Sequence, residues 1–220
     1  MPELPEVETI ARQLDKALKG RVVESVEVLR EKSFVGKEDD LVGRKIKKVG
    51  RKSKMVVVEF EEWNKVVLIH LKMTGQLVLT EGKKRTVGGH PTADWVNKLP
   101  SKHTRVVMGF KDGLKLFFND MRTFGWMKIG DVPKLPPDVV DEEFDFNYLK
   151  SVLRGSKRAV KLVILDQKKM GGIGNIYAND GLFLAGVDPR KLAGELNEKE
   201  IKKLWKAVRK VINKGVVLGG

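Results

Sequence analysis

The first predicted element is a helix near the start of the chain. Its apolar residues recur every three or four positions, which is the spacing of one helical face. These positions are Val7, Ile10, Ala11, Leu14 and Leu18. Pro5 suits the first turn of a helix and Gly20 is a typical stop, so we predict a helix from about Pro5 to Leu18.

The hydrophobic pattern then changes to short β-branched runs. Runs of this kind predict strands, and they are "VVESVEVL", "KIKKVG", "KMVVVEF" and "KVVLIHL". Two further runs, "RVVMGF" and "LKLFFND", flank Asp112 and Gly113, a pair that favours a tight hairpin turn. Up to about Ile129 the sequence therefore predicts a mainly antiparallel sheet system.

A change of composition separates this part from the rest of the chain. The segment from Asp131 to Asp138, "DVPKLPPD", carries three prolines and no apolar periodicity, so we predict a linker there. Helical segments follow at "DFNYLKSVLRG", "KRAVKLVILDQ" and "NIYANDGLFLAG". Asn197 and Glu200 are the signature of a capping box at the start of a last helix. We therefore predict an α+β chain, with a β-rich domain of residues 1–132 and a helical domain of residues 133–220.

The charge of the chain narrows the partners that it could have. Lys and Arg number 43 against 29 Asp and Glu in 220 residues, a formal net charge of +14. Such an excess favours nucleic acid or an anionic membrane, although a highly charged surface without a partner is an alternative. The sequence has no cysteine, which excludes disulfides and thiolate-bound zinc within these residues, and no apolar run long enough to span a bilayer.

Two segments have the composition of a phosphate-binding site. In "GGIGNIYAND" three glycines precede a predicted helix, whose N-terminal N–H groups and dipole suit a phosphate, unless the segment is only a turn between helices. In "GRKIKKVGRKSKM" basic residues crowd a predicted strand and turn, as a solvated face or as contacts with phosphates. Neither segment by itself identifies a catalytic residue.

Two other segments carry side chains suited to opening a base stack. They are "HLKMTGQL", with Met73, and "NDMRTFG", with Arg122 and Phe124. Met, Arg and Phe can wedge between bases and fill the space of an extruded nucleotide. Packing in a hydrophobic core is the alternative for Met73 and Phe124.

Taken in order, these motifs resemble the formamidopyrimidine-DNA glycosylase family of bacterial repair enzymes. The resemblance covers essentially the whole chain, through "PELPEVET", "HLKMTG", "KHTRV", "DMRTFG" and "GIGNIYANDGLF" with "AGVDP". It implies an N-terminal helix with an antiparallel β-sandwich, followed by a helix–two-turn–helix domain. It also implies base-excision repair of damaged double-stranded DNA, by removal of 8-oxoguanine and formamidopyrimidines with an associated AP-lyase activity. The corresponding expectation is a monomer in the bacterial cytoplasm, associated with the nucleoid and not with a membrane.

The resemblance assigns the chemistry to the start of the chain. Removal of Met1 would leave Pro2 as the N-terminal amine, which attacks C1′ of the damaged nucleoside and forms a Schiff base. Glu3 would act as general acid and base at the sugar oxygen, and Lys54 would contact phosphate near the lesion and support catalysis. Glu6 either assists the site or only stabilises the start of the helix.

The resemblance also assigns the residues that bind DNA. Contacts with DNA are implied for His70, His103, Arg105, Arg122, Lys157 and Asn175. Met73, Arg122 and Phe124 match the side chains that fill the gap left by a flipped base, and Arg122 would read the base opposite the lesion. Thr123 stands where the family often has a second basic residue, so no contact is inferred at that position.

The end of the sequence departs from the family pattern. Family members continue into a loop over the flipped base and a four-cysteine zinc finger, whereas this sequence ends at Gly220 without a cysteine. His70, His90 and His103 are too scattered for a metal site, so we expect no metal and no cofactor. Because the family's loop and zinc finger are absent from this sequence, we expect weak affinity for DNA and loose lesion selectivity. Two alternatives to an active glycosylase remain: a catalytically weak or silent DNA-binding module on the same scaffold, and a basic RNA-binding structural protein.

Overall fold

The computed structural model describes residues 2–220, which divide into two compact units. The first unit contains Pro2 and residues 6–133, and the second contains residues 3–5 and 134–220. The first helix, α1 (Leu4–Leu18), therefore begins with residues of the second unit and continues in the first. Within residues 2–220 no helix has the length and apolar character needed to cross a membrane.

The first unit is built mainly from strands. Those among the described residues are β1 (Val23–Val28), β2 (Phe34–Val35), β3 (Ile46–Lys52), β4 (Met55–Phe60), β5 (Val66–His70), β6 (Gly75–Glu81), β7 (Lys84–Gly89), β8 (Thr104–Phe110), β9 (Lys115–Asp120) and β10 (Trp126–Gly130). They form two five-stranded sheets, in the orders β1-β8-β9-β6-β7 and β2-β10-β5-β4-β3. Neighbouring strands are antiparallel except for the parallel pair of β2 and β10.

One hydrophobic core joins the two sheets. Ile46 and Val56 of one sheet belong to the same buried cluster as Leu77 and Val106 of the other, and Leu14 of α1 packs into it. Because side chains alternate between the two faces of a strand, each sheet turns an apolar face to this core. The predicted combination of an N-terminal helix and a β-sandwich is thus confirmed.

The second unit is helical. Its helices are α2 (Phe146–Leu153), α3 (Val160–Ile164), α4 (Asn175–Ala185) and α5 (Glu198–Leu218). Asn197 and Glu200 exchange side-chain and backbone hydrogen bonds at the start of α5, so the predicted capping box is confirmed. Gly181 of α4 lies against Val208 of α5, where an added Cβ would be 2.8 Å from the valine Cγ2. The helices α4 and α5 therefore approach closely at a glycine. Their buried side chains belong to one hydrophobic core, which also contains Leu4.

The structure differs from the sequence prediction in three segments. The predicted helix "KRAVKLVILDQ" is reduced to the five-residue α3, because Val160 N–H bonds the Lys191 carbonyl and leaves the segment before it extended. The hairpin of β6 and β7 was not predicted, since β6 is buried over five consecutive residues and lacks polar alternation. The end of the predicted linker is part of the second unit, where buried Asp138 forms a bridge with Gly171.

Candidate functional site

Glu3 has a fixed position at the start of α4. It is 1% exposed, its Oε1 accepts a hydrogen bond from the Ile176 N–H at 2.9 Å, and its Oε2 accepts one from the Tyr177 N–H at 3.4 Å. N–H groups in the first turn of a helix have no acceptor within the helix and lie at the positive end of its dipole. The start of α4 therefore holds and orients the carboxylate of the residue that directly follows Pro2.

Two glycines make room for this arrangement. Gly174, the N-cap of α4, has φ −121°, a backbone conformation that any residue can adopt. A glycine is needed here because an added Cβ would lie 2.5 Å from Glu3 Oε1. Gly172 has φ +89°, and its carbonyl accepts a hydrogen bond from the Leu4 N–H at 3.3 Å. The glycine-rich segment therefore receives Glu3 and Leu4.

The sequence predicted that N–H groups at the start of this helix bind a phosphate. For Ile176 and Tyr177 this prediction is wrong, because their N–H groups donate to Glu3. The predicted DNA contacts of the second unit, Lys157 and Asn175, are both exposed. Lys157 lies between α2 and α3, and Asn175 is the first residue of α4. Their side chains remain accessible to a ligand.

Lys54 lies in a turn that an ion pair holds in place. The turn joins β3 and β4, and Lys54 is 8% exposed. Arg51 donates from Nη1 to the Ser53 carbonyl at 2.9 Å and from Nε to the Glu8 carboxylate of α1 at 2.8 Å. Burial acts to raise the pKa of Glu8, but hydrogen bonds from Arg51 and Arg12 outweigh it, and that pKa lies below its usual value. The turn that carries Lys54 is thus fixed to the N-terminal helix.

His70, the last residue of β5, is neutral and has a defined tautomer. Burial, with the positive charges of Lys72 and Lys54, lowers the pKa of His70 to about 4. The Lys72 backbone N–H donates to His70 Nδ1 at 3.0 Å, so the ring proton is on Nε2. The ring also packs against Trp126, with 5.7 Å between the centroids. Near neutral pH, His70 can therefore donate a hydrogen bond to a phosphate oxygen but carries no charge.

Met73 and Phe124 are at the surface, so the alternative that they pack in the core is wrong. Met73 is 40% exposed in the turn between β5 and β6, and Phe124 is 55% exposed between β9 and β10. The Arg122 guanidinium lies 5.0 Å from the centroid of the Phe124 ring, in a cation–π contact. The three side chains predicted to enter a base stack are thus presented on two loops of the sandwich.

Asp120 connects these two loops, although the sequence pattern does not single it out. It is fully buried, and its carboxylate accepts hydrogen bonds from the Thr74 hydroxyl at 2.5 Å and from the Gly125 N–H at 2.6 Å. The Arg122 N–H donates to Thr74 Oγ1 at 3.0 Å and to Asp120 Oδ1 at 3.2 Å. The one signal in the sequence is its place in "NDMRTFG", at the start of the loop.

His103 and Arg105 lie beside the backbone of the same residue. The His103 carbonyl accepts the Asp120 N–H at 2.9 Å, and Arg105 Nε donates to the Asp120 carbonyl at 2.8 Å. The imidazole of His103 is paired through Nδ1 with a carboxylate oxygen of buried Asp94 at 2.8 Å. The first unit therefore brings the Met73 turn, the Arg122–Phe124 loop, His103 and Arg105 together around Asp120.

Pro2 and Glu6 lie at the start of α1. Pro2 is buried two positions before the first residue of the helix, and Glu6 is half-buried in its first turn. The predicted removal of Met1 concerns a residue outside the described part of the chain. Within residues 2–220 no group of three or more His, Cys, Asp or Glu side chains could hold a metal ion.

Two family profiles match nearly the whole chain. The formamidopyrimidine-DNA glycosylase N-terminal domain matches residues 1–127, and the formamidopyrimidine-DNA glycosylase H2TH domain matches residues 135–220. The chain belongs to the formamidopyrimidine-DNA glycosylase family. The resemblance inferred from its motifs is therefore confirmed, and the chain is a DNA-repair glycosylase of the formamidopyrimidine-DNA glycosylase type.

Individual members of the glycosylase family are similar over the full length of the chain. A formamidopyrimidine-DNA glycosylase from Carboxydothermus hydrogenoformans is 37% identical over an alignment of 233 positions, which covers 100% of this chain and 79% of the relative. One from Moorella thermoacetica is 36% identical over an alignment of 234 positions, which covers 100% of this chain and 80% of the relative.

Solved structures of glycosylase family members share the fold. The MutM (Fpg) protein from Thermus thermophilus matches with a TM-score of 0.85 at 30% identity, covering 100% of this chain and 77% of that one. The Lactococcus lactis glycosylase, non-covalently bound to DNA containing an AP site, matches with a TM-score of 0.85 at 28% identity, covering 99% of this chain and 83% of that one. The predicted α+β class, with a helical H2TH domain after the sheets, is confirmed.

Proposed function

We propose that the chain is a base-excision DNA glycosylase with an associated AP-lyase activity, acting on 8-oxoguanine and formamidopyrimidines in double-stranded DNA. The observation that carries the proposal is the anchoring of Glu3 by the N–H groups of Ile176 and Tyr177. A carboxylate that only favours the start of α1 would stay in solvent, whereas Glu3 is buried and held by a different helix. A carboxyl group with a fixed position beside a potential nucleophile is suited to general acid–base catalysis.

The proposed nucleophile is the amine of Pro2, which becomes available when Met1 is removed. An α-amino group has a pKa of about 7.7–8.0 against about 10.4 for lysine, so at neutral pH its free-base fraction is larger by roughly two orders of magnitude. The nitrogen lone pair attacks C1′ of the damaged nucleoside, and the bond from C1′ to the base breaks with its electron pair leaving on the base. The departing base takes up a proton from solvent, while the Glu3 carboxylate takes the proton from the Pro2 nitrogen and passes it to O4′ as the bond from C1′ to O4′ opens, which leaves an iminium on Pro2.

The iminium permits cleavage of the strand. It accepts the electron pair released when the C2′ proton is removed, and the bond from C3′ to its phosphate oxygen then breaks. Lys54, in its fixed turn, supplies positive charge for a phosphate near the lesion. His70 supplies a neutral N–H donor for the backbone.

Recognition of the lesion is assigned to exposed side chains. Met73, Arg122 and Phe124 fill the space of the flipped nucleotide, and Arg122 reads the opposite base. Contacts with the DNA backbone are proposed for His103, Arg105, Lys157 and Asn175. DNA of this kind is bound by similar proteins, since Lactococcus lactis structures contain AP-site DNA and Fapy-dG DNA and match 99% and 100% of this chain.

Borohydride trapping tests the proposal, because it reduces the iminium to a stable covalent link. The 220-residue chain, with Met1 shown to be removed, is incubated with duplexes that carry 8-oxoguanine or an abasic site. We expect an adduct located by peptide mass at Pro2, and weaker trapping by Pro2→Gly, which keeps a primary α-amine. Absence of any adduct contradicts the lyase assignment.

A second variant tests the role of Glu3. Glu3→Gln removes the proton-transferring group but keeps a side chain of the same shape, so we expect slower excision of 8-oxoguanine and a smaller effect on cleavage at a preformed abasic site. Excision at the wild-type rate by Glu3→Gln would show that Glu3 is not the general acid–base.

A further inference from the structure

The loops assigned to the lesion are tied to one buried residue. Asp120, the last residue of β9, has 0% exposure, and its backbone is bonded to the His103 carbonyl and to Arg105 Nε. Its side chain points to the two loops that carry Met73 and the segment from Arg122 to Phe124. His103, Arg105 and the two loops are therefore all connected to Asp120 by hydrogen bonds.

The carboxylate of Asp120 accepts hydrogen bonds from both loops. Oδ1 accepts from the Thr74 hydroxyl at 2.5 Å and the Arg122 N–H at 3.2 Å, and Oδ2 accepts from the Gly125 N–H at 2.6 Å. The Arg122 N–H also donates to Thr74 Oγ1 at 3.0 Å, so that Arg122, Thr74 and Asp120 are each hydrogen-bonded to the other two. Gly125 allows this approach, since an added Cβ would lie 3.1 Å from Asp120 Oδ2 and 3.0 Å from the His70 carbonyl.

Both loops have backbone conformations that need support. Lys72 has φ +50° and Thr123 has φ +60°, values that residues with a side chain adopt at a cost in free energy. Met73 is 40% exposed and Phe124 is 55% exposed, so neither side chain is fixed by burial in the core. The hydrogen bonds to Asp120 therefore help to hold the two loops in a defined relative position.

We propose that Asp120 is a positioning residue for extrusion of the damaged base. It keeps the Met73 turn and the Arg122–Phe124 loop at the separation at which their side chains can enter the base stack together. The inference rests on the proposed function, because it assigns Asp120 to the step before the chemistry at Pro2. A misplacement of about 1 Å can lower the rate about 100-fold, so loss of these hydrogen bonds is expected to affect excision strongly.

The first test uses Asp120→Asn and a matched control. An asparagine has one acceptor oxygen, and its NH₂ group would face at least one of the donors that now bind the carboxylate. Asp112→Asn is the control, because Asp112 is in the turn at the other end of β9, where it pairs with Arg21 at the surface. For Asp120→Asn we expect single-turnover excision of 8-oxoguanine to fall about 100-fold, and trapping on a preformed abasic site to fall by a much smaller factor. Asp112→Asn should match the wild type in both assays.

A second pair of variants keeps the inference testable if Asp120→Asn does not fold. Thr74→Val removes the hydroxyl that bonds Asp120, and Thr74→Ser retains it. We expect Thr74→Val to reduce excision more than trapping, and Thr74→Ser to restore it. An equal loss of excision and trapping would overturn the inference, because a purely structural role predicts that result. Wild-type excision by Thr74→Val would also overturn it if Asp120→Asn either excises at the wild-type rate or fails to fold.

A binding measurement separates this inference from the proposed function. Duplex DNA with a fluorescent adenine analogue opposite a non-cleavable abasic analogue reports whether side chains enter the stack, without any chemistry. Wild-type protein should change the fluorescence, and Thr74→Val should bind with a smaller change. If the wild type changes the fluorescence but gives no borohydride adduct, the proposed lyase chemistry fails while the inference stands. If Thr74→Val gives the full wild-type change, the inference fails.

Discussion

The position of Glu3 can be disturbed without altering Glu3 itself. Gly174 has an extended backbone that alanine also adopts, so Gly174→Ala introduces no backbone strain. Its Cβ would lie 2.5 Å from Oε1 and 2.6 Å from Oε2 of Glu3, whereas ordinary contacts of a Cβ are 3.4–4 Å. The carboxylate must therefore move by about 1 Å, which lengthens or breaks its hydrogen bonds with Ile176 and Tyr177.

The expected size of the effect follows from this displacement. A shift of about 1 Å in a catalytic group costs about 100-fold in rate, so we expect excision by Gly174→Ala to be slower by about that factor. Hydrogen bonds to charged groups contribute about 1.5–3 kcal/mol each, and because the carboxylate can keep one of its two bonds, we expect a loss of stability of about 2 kcal/mol. Cleavage at a preformed abasic site should be less affected, because base departure has already occurred.

Single-turnover excision of 8-oxoguanine, with borohydride trapping on an abasic duplex in parallel, measures both effects. Gly130→Ala is the matched control, because its added Cβ would meet only the flexible end of Lys128, at 3.6 Å. Wild-type excision by Gly174→Ala, in a folded variant, would refute the claim that the start of α4 positions Glu3 for catalysis.

Three further predictions follow from the geometry. Phe124→Ala should change the free energy of unfolding by less than about 0.5 kcal/mol, since the side chain is 55% exposed, but should slow excision; a large loss of stability in urea denaturation would contradict this. The pKa of His70 is about 4 in the folded chain and about 6.5 in the unfolded one, so the unfolded state binds the extra proton and stability falls as the pH drops from 6.5 to 4, by up to about 3 kcal/mol. His70→Gln should remove this part of the pH dependence in denaturation at pH 7 and 4.5, and an unchanged dependence would contradict it. Arg51→Ala should lower both the melting temperature and the excision rate, because it frees the Lys54 turn from α1, whereas Arg12→Ala, which also removes a partner of Glu8, should leave excision unchanged.

Much of the fold could be predicted because its signals are local. The helical spacing before Gly20, the Asp112-Gly113 turn and the capping box at Asn197 each lie within a few residues, and the corresponding elements are present. The strand β6, and with it the β6–β7 hairpin, was not predicted because five consecutive residues of β6 are buried, which removes the alternation that marks a strand. The short α3 depends on a hydrogen bond with Lys191, which no local pattern reveals.

The candidate site was predictable in its residue types but not in its connections. "PELPEVET" and "GIGNIYANDGLF" each point to the family, but nothing in either segment shows that Glu3 caps the helix that begins at Asn175. The role of Gly174 could not be inferred for the same reason, since its constraint comes from Glu3 and not from its own backbone. Asp120 was missed because a buried carboxylate becomes informative only when its donors, Thr74 and Gly125, are known.

The central claim is that the amine of Pro2 is the nucleophile, and the site of the covalent link tests it most directly. The chain is trapped with borohydride on 8-oxoguanine DNA, digested, and the modified peptide is sequenced by mass spectrometry. The mechanism predicts that the modification lies on Pro2 at the N-terminus of a chain that lacks Met1. A modification on Lys54 or on any other lysine, or no adduct from folded protein that binds the same DNA, would contradict it.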